Sequence, residues 1–199
     1  MHVLTVLDHP DANSFSHAIA ARFTEGVIEA GHTVEIADLH AEGFNPLWSM
    51  DDINQTIEQS PEDVRNEQIR IERCDAVCFV FPLFWFGMPA MTKGWLERVW
   101  TWGWAYDQLA DPNLSLQKDR TAIMLIPAGA KSHEIEELGH KAAMENIWCD
   151  GTLGYFGFAD KRIHFLCGST GSQKRREGLL EEAYRAGFDI SLPKASAAS

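Results

Sequence analysis

The sequence predicts an α/β fold in which five parallel strands form one doubly wound sheet with helices on both faces. Short apolar runs alternate with longer amphipathic segments along the chain, a pattern typical of repeated β-α units. The third run is almost continuously apolar, as expected for a strand covered on both faces. The 199 residues, 45% of them hydrophobic, are enough for one large core.

The first β-α-β unit has a recognisable start and end for its helix. Val3–Leu7 is a short apolar strand that ends in a proline-containing turn. Asn13 or Ser14 can cap the following helix, whose apolar residues lie on one face, and Gly31 is placed to end it. The second predicted strand is Thr33–Ala37.

The remaining elements repeat this alternation after an irregular segment at 40–61. Helix 61–73 begins with acidic and ends with basic residues, as the helix dipole favours. The third strand is Ala76–Phe81. The later elements, in chain order, are a helix at 88–100, a strand at 121–126, a helix at 135–148, a strand at 163–167 and a helix at 174–188.

The turn after the first strand decides between two strand orders. A dinucleotide-binding sheet needs G-x-G-x-x-G there, whereas this turn reads DHPDANSF and contains no glycine. We therefore predict the order 2-1-3-4-5, with a ligand outside the carboxyl ends of strands one and three. One domain is expected over 1–193, and the Ala/Ser-rich tail 194–199 is expected to be disordered.

Composition excludes several classes of partner. A formal net charge of −12 argues against nucleic acid or an anionic membrane as the main partner. No apolar run approaches the roughly 20 residues that span a bilayer, and the N-terminus lacks the features of a signal peptide. We expect a cytoplasmic protein that does not insert into membranes. The four cysteines lack zinc-like spacing and are expected to be reduced thiols.

Two loops at neighbouring strand ends carry the unusual residues. The first, His9 to His17, enters a helix directly, and a helix N-terminus with hydroxyl side chains is suited to a phosphate. The second, Pro82 to Gly87, offers backbone N–H groups and ring faces, which suit an isoalloxazine ring. The alternatives are an ordinary helix cap for the first loop, and a core loop or dimer contact for the second.

Other candidate residues lie further along the chain. The helix at 88–100 has an apolar stripe that suits packing or a subunit interface, and Tyr106 beyond it can reach a pocket rim. The loop after the fourth strand contains Gly129, which allows close backbone approach. His133 and His140 share a helix face if both are helical. The acidic pairs are expected on solvated helix faces; they are Asp51-Asp52, Glu136-Glu137 and Glu181-Glu182.

Four segments resemble the flavin-dependent NAD(P)H:quinone reductases of the DT-diaphorase type. They are HPDANSFSHAI (9–19), DLHAEGFNPLWSMDDI (38–53), FPLFWFGMPAMTKGWLERV (81–99) and GWAYD (103–107). The resemblance implies a flavodoxin-like fold, a homodimer whose two chains line each active site, and a tightly bound flavin. It also implies ping-pong hydride transfer from NAD(P)H through the flavin to a quinone.

The resemblance also assigns roles by position. The flavin phosphate end would be held by His9, Ser14, Phe15 and Ser16. The aromatic loop would flank the flavin ring with Pro82, Leu83, Phe84, Trp85 and Phe86, and the pyrimidine edge would meet Pro127, Ala128 and Gly129. Tyr106 would line the substrate mouth from the partner subunit. His140 falls on the histidine that steadies charge on the reduced flavin, so Tyr106 and His140 are the catalytic candidates.

Several positions depart from the family pattern. The animal enzymes read T-T-G-G where this chain has Ile126-Pro127-Ala128-Gly129, Glu134 replaces their active-site tyrosine, and Ser16 replaces an asparagine. The given chain is shorter than theirs, which leaves FMN possible, while the 40–61 segment is more similar to FAD-binding members. Two other classes stay open: a regulatory flavoprotein subunit of a potassium-efflux system, and a one-electron flavodoxin carrier.

Overall fold

Five parallel strands form a single sheet in the order β2-β1-β3-β4-β5 in the computed structural model, which describes residues 1–54, 60–106 and 119–192. The predicted fold class and strand order are confirmed. The strands are β1 (His2–Leu7), β2 (Thr33–Asp38), β3 (Ala76–Val80), β4 (Thr121–Ala128) and β5 (Asp160–Cys167).

The helices cover both faces of the sheet. They are α1 (Phe15–Glu29), α2 (Met50–Asn54), α3 (Glu62–Arg73), α4 (Ala90–Val99), α5 (Ser132–Glu136), α6 (His140–Glu145), a π-helix (Asn146–Leu153) and α7 (Gln173–Phe188). One apolar layer joins the sheet to α1 and α7. The other joins it to α3, α4 and the π-helix. All five residues of β3 are buried, as its apolar sequence predicts.

Helix α1 begins and ends at residues that the sequence identifies. The Ser14 side chain accepts the backbone N–H of His17, so Ser14 rather than Asn13 is the N-cap. Gly31 has a φ of 83°, the left-handed conformation that glycine adopts most easily, and it follows the C-cap Ala30.

Two predictions about secondary structure are wrong. The segment 40–61 contains the short helix α2. The continuous helix predicted at 135–148 is instead α5, a break, α6 and the π-helix. The break occurs because Gly139 has a φ of 73°, so the chain leaves the helical path there. His133 therefore lies in α5 and His140 begins α6, and they do not share one helix face.

Asp52 is a further correction, because it is buried rather than on a solvated helix face. Its carboxylate accepts a hydrogen bond from Arg98 Nε at 2.8 Å. The predicted tail at 194–199 lies outside the described residues. Among the helices that the structure describes, none combines the length and apolar character that a bilayer crossing requires.

Candidate functional site

Three loops meet at the carboxyl ends of β1, β3 and β4, which are neighbours in the sheet. We call them the β1 loop (8–14), the aromatic loop (81–89) and the β4 loop (129–131). Two backbone hydrogen bonds hold the first two loops to neighbouring strands: Asp8 N–H donates to Val80 O of β3 at 2.9 Å, and Leu83 N–H donates to Pro127 O of β4 at 2.9 Å. The loops that the sequence singles out are thus held at one edge, where parallel sheets bind ligands.

The β1 loop is a turn held by its own polar groups. Asp11 N–H donates to His9 Nδ1 at 3.1 Å, and Asn13 N–H donates to Asp11 Oδ1 at 2.9 Å. Ser14 N–H donates to the carbonyl of Asp11 at 2.9 Å. Because Nδ1 of His9 accepts, a neutral His9 ring carries its hydrogen on Nε2. That N–H is a donor on the side of the ring away from the turn.

The Ser14 hydroxyl contacts His17, which in turn contacts Asp38, a chain of contacts that the sequence analysis does not predict. Ser14 Oγ lies 2.8 Å from His17 Nδ1, and His17 Nε2 lies 3.0 Å from Asp38 Oδ2. A neutral His17 that donates from Nε2 to the carboxylate must accept at Nδ1 from the Ser14 hydroxyl. Ser14 therefore fixes the start of α1, and its hydrogen points to His17.

Asp38 gives this arrangement a defined acid sensitivity. Burial alone would raise the pKa of the Asp38 carboxyl, but hydrogen bonds from Ala41 N–H and the His17 ring outweigh it, so the pKa lies below 3.8. In the unfolded chain the carboxyl binds its proton near 3.8. The stabilisation is therefore complete above that pH and is lost as the pH falls through the lower pKa of the folded state.

Asp38→Asn should accordingly reduce the dependence of stability on acid pH. Urea unfolding at about pH 6 and about pH 3 measures the drop in unfolding free energy. We expect a smaller drop for Asp38→Asn than for the unmodified chain. Asp51→Asn, an exposed carboxylate on α2, is the matched control and should keep the full drop. Equal drops in all three proteins would contradict the assignment.

The aromatic loop combines backbone strain with exposed rings. Trp85 and Phe86 have φ values of 50° and 58°, although neither is glycine, and such a conformation costs roughly 1–2 kcal/mol per residue. Phe84 and Gly87 close the turn by exchanging backbone hydrogen bonds of 2.9 and 3.3 Å. The Trp85 side chain is 96% exposed. The exposure of these rings shows that the loop is not a core loop, and backbone strain of this kind is concentrated at ligand sites.

The β4 loop contains fewer residues than the sequence predicts. Pro127 and Ala128 belong to β4 and are buried, whereas Gly129 is exposed. The segment 168–172 after β5 covers this edge, because Ser169 N–H donates to Ala128 O at 2.9 Å. A methyl group on Gly129 would lie 3.6 Å from Thr170. This Gly/Ser/Thr-rich segment lies beside the site and is absent from the sequence-based candidates.

His140 lies against the aromatic loop. Its ring centroid is 4.3 Å from that of Phe86, with the two ring planes tilted by 43°. Glu134, by contrast, turns back to its own helix and accepts Lys131 N–H at 2.7 Å. His140 thus contacts a predicted flavin-binding residue, whereas the Glu134 carboxylate is hydrogen-bonded at the start of its own helix.

Tyr106 lines a cavity of about 870 Å³ between α4 and the π-helix. Its ring centroid is 5.4 Å from that of Tyr155. Burial, and then Tyr155, raise the pKa of the Tyr106 hydroxyl above its usual value. The cavity reaches the aromatic loop at Gly87 and Met88. In the described ranges, no group of three or more histidine, cysteine or acidic side chains is placed to hold a metal.

Comparisons with known proteins agree on one family. A family model for the flavodoxin-like fold, Flavodoxin_2, matches residues 1–187. An uncharacterized NAD(P)H oxidoreductase of Haemophilus influenzae is 31% identical over 191 residues, 92% of each chain. NAD(P)H dehydrogenase (quinone) 1 of Rattus norvegicus is 37% identical and covers 90% of this chain and 78% of its own. The structure of an NAD(P)H:quinone oxidoreductase from Methanothermobacter marburgensis has a TM-score of 0.86 and 36% identity, covering 96% of this chain and 99% of that one.

Proposed function

The chain belongs to the Flavodoxin_2 family, and from this premise we propose that it is a flavin-dependent NAD(P)H:quinone oxidoreductase that transfers two electrons by ping-pong. The names of its relatives from rat and Methanothermobacter marburgensis support this reaction. Those names are oxidoreductase names, so a regulatory subunit of a potassium-efflux system is not favoured. The fold and the loop placement supply the physical support.

The observation that carries the proposal is the exposed, strained aromatic loop. A tryptophan side chain left 96% exposed loses the gain from burying its apolar ring. A flat aromatic ligand would restore that gain by covering it. The residues present therefore fit a flavin, FAD or FMN. We call the surface formed by Trp85, Phe86 and Gly129 the ring slot.

Each loop has a distinct part in holding the group. The β1 loop would hold the phosphate end with the His9 Nε2–H and the N–H groups of the first turn of α1, including those of Phe15 and Ser16, which have no acceptor within the helix. Ser14 contributes by fixing that turn through His17. Phe84 and Leu83 belong to the loop that forms the ring slot, and the Leu83–Pro127 hydrogen bond attaches that loop to the end of β4.

The chemistry divides between cofactor and protein. A bound flavin accepts a hydride from NAD(P)H and passes it to a quinone. The protein supplies position: the rings of Trp85 and Phe86 orient flat substrates and exclude water. His140, which packs against Phe86, is placed to donate or hold a proton at the edge of the slot.

The second half of each active site is proposed to come from a partner copy. Tyr106 and Tyr155 line the 870 Å³ cavity on the α4 face rather than the ring slot. The rim of this face exposes Ile147 and Tyr155, and Trp102 is also exposed close to Tyr106 in the chain. A homodimer that buries these side chains would bring Tyr106 of one protomer to the slot of the other.

Purification of the full chain tests the proposal. We expect a yellow protein whose released flavin identifies FAD or FMN by chromatography. Steady oxidation of NADH or NADPH with menadione as acceptor should follow without any partner protein. A colourless chain that binds neither FAD nor FMN on titration would overturn the proposal. Bound flavin without menadione-dependent turnover would reject the quinone reductase activity alone.

A further inference from the structure

We propose that Asp8 is a positioning residue of the ring slot, because its buried carboxylate caps helix α4 and so fixes the end of the aromatic loop, while its backbone N–H binds the start of that loop. The inference rests on the proposed function, since it concerns how the flavin ring is held. Asp8 follows the last residue of β1 and precedes His9, so it lies where the β1 loop begins.

Helix α4 depends on an acceptor from elsewhere in the chain. Its N-cap position is Pro89, a residue whose side chain has no acceptor atom. The N–H of Thr92, in the first turn, needs a partner outside the helix. Asp8 Oδ2 accepts this N–H at 2.8 Å and the Thr92 hydroxyl at 2.5 Å. The carboxylate thus does the work of an N-cap and faces the positive end of the helix.

The other carboxylate oxygen of Asp8 binds a residue of a third segment, the one that follows β2. Oδ1 lies 2.9 Å from Nε2 of His40, which follows β2. The Asp8 side chain is only 4% exposed, whereas that of His40 is 30% exposed. A carboxylate this buried is costly unless its oxygens are hydrogen-bonded, and here Thr92 and His40 provide those bonds. One side chain therefore joins the ends of β1 and β2 to the start of α4.

Asp8 also fixes the start of the aromatic loop. Its backbone N–H donates to Val80 O, the last residue of β3. The loop runs from residue 81 to residue 89, so its entry is bound by the backbone of Asp8 and its exit by the side chain. The left-handed conformations at Trp85 and Phe86 persist only if the surrounding structure imposes them. We assign that role to Asp8, which acts on the ring slot through Thr92 and Val80.

The test compares two ligands that differ only at the phosphate. Riboflavin and FMN are titrated separately into the flavin-free full chain, and quenching of flavin fluorescence gives each dissociation constant. Asp8→Ala should weaken both ligands by about tenfold or more and by the same factor, because the lost contact acts on the ring. Asp8→Asn and the isosteric Thr92→Val remove fewer contacts and should weaken both by smaller, equal factors.

The matched control is Asp75→Ala. Asp75 accepts the backbone N–H of His2 at 2.7 Å, so it also ties β1 by a carboxylate, but at the opposite edge of the sheet. We expect this variant to lose stability in urea while both dissociation constants stay unchanged. If Asp8→Ala does not fold, Asp8→Asn and Thr92→Val carry the comparison.

Three outcomes would overturn the inference. Unchanged constants in the folded variants would show that Asp8 only stabilises the fold. A loss confined to FMN would show that it acts at the phosphate end. In both cases the unmodified chain still binds flavin, so the proposed function survives. An unmodified chain that binds neither of these ligands, nor FAD, would remove the proposed function, and this inference with it.

Discussion

Arg98→Met is expected to lower the free energy of unfolding by about 3–5 kcal/mol, because it leaves a buried carboxylate without its partner. The Arg98 side chain is 5% exposed, and that of Asp52 is fully buried. Arg98 also donates to the Asn45 carbonyl at 2.6 Å and to both oxygens of Asp63, at 2.5 and 3.1 Å. One guanidinium thus holds the segment between β2 and α3 against α4.

The measurement is urea unfolding, with Lys93→Met as the matched control. Lys93 is on the same helix and pairs with Glu97, but its side chain is 57% exposed. An exposed pair of this kind contributes about 0.5 kcal/mol or less. Asp52→Asn should recover part of the loss when it is combined with Arg98→Met, since it removes the unpaired charge. A loss below about 1 kcal/mol for Arg98→Met would contradict the burial of this pair.

Trp85→Ala is expected to raise the flavin dissociation constant by about 5- to 150-fold, the equivalent of roughly 1–3 kcal/mol for one stacked ring. The free energy of unfolding should change by only about 0.5 kcal/mol, because the exposed Trp85 ring has little packing to lose. The two effects are separable by fluorescence titration and urea unfolding of the same preparation. Gel filtration should show the variant losing its yellow colour.

Phe188→Ala is the matched control for this substitution. Phe188 is an exposed ring at the last position of α7. Helix α7 begins at the edge where β5 ends and runs back along the sheet, so Phe188 lies at the opposite edge from the three loops. Its removal should leave flavin binding unchanged. If Trp85→Ala retains all of its flavin and turns over normally, the ring slot has been placed wrongly.

Much of the fold was predictable because it depends on local sequence. The alternation of apolar runs and helices, and the missing glycines after β1, give the strand order without any long-range information. Gly139 shows the limit of prediction from local sequence. A glycine in a helical pattern is either tolerated or breaks the helix, and the periodicity of apolar residues does not say which. The prediction that Asp52 is exposed is wrong for another reason. Its partner Arg98 is 46 residues away, and only the folded chain brings them together.

The site was predictable to the level of loops but not of side-chain pairs. Strand ends place the β1 loop and the aromatic loop together, and the sequence leaves open whether Trp85 is core or exposed. The structure decides that question. The pairs Asp8–His40 and Asp38–His17 were missed, because each joins the end of one strand to a residue from another part of the chain. The recurrence of an aspartate with a nearby histidine at the ends of β1 and β2 could have drawn attention to them.

The two attachments of residues 81–89 to Asp8 limit which sequence changes in this loop the enzyme can accept. With the entry and the exit bound to one residue, a deletion would strain one of the two attachments, and an insertion would change the path of the chain between them. Substitution of one aromatic residue for another within the loop leaves both attachments intact. New acceptor preferences should therefore arise through the identity of the residues at 84–86, while the length of the segment stays constant among functional descendants.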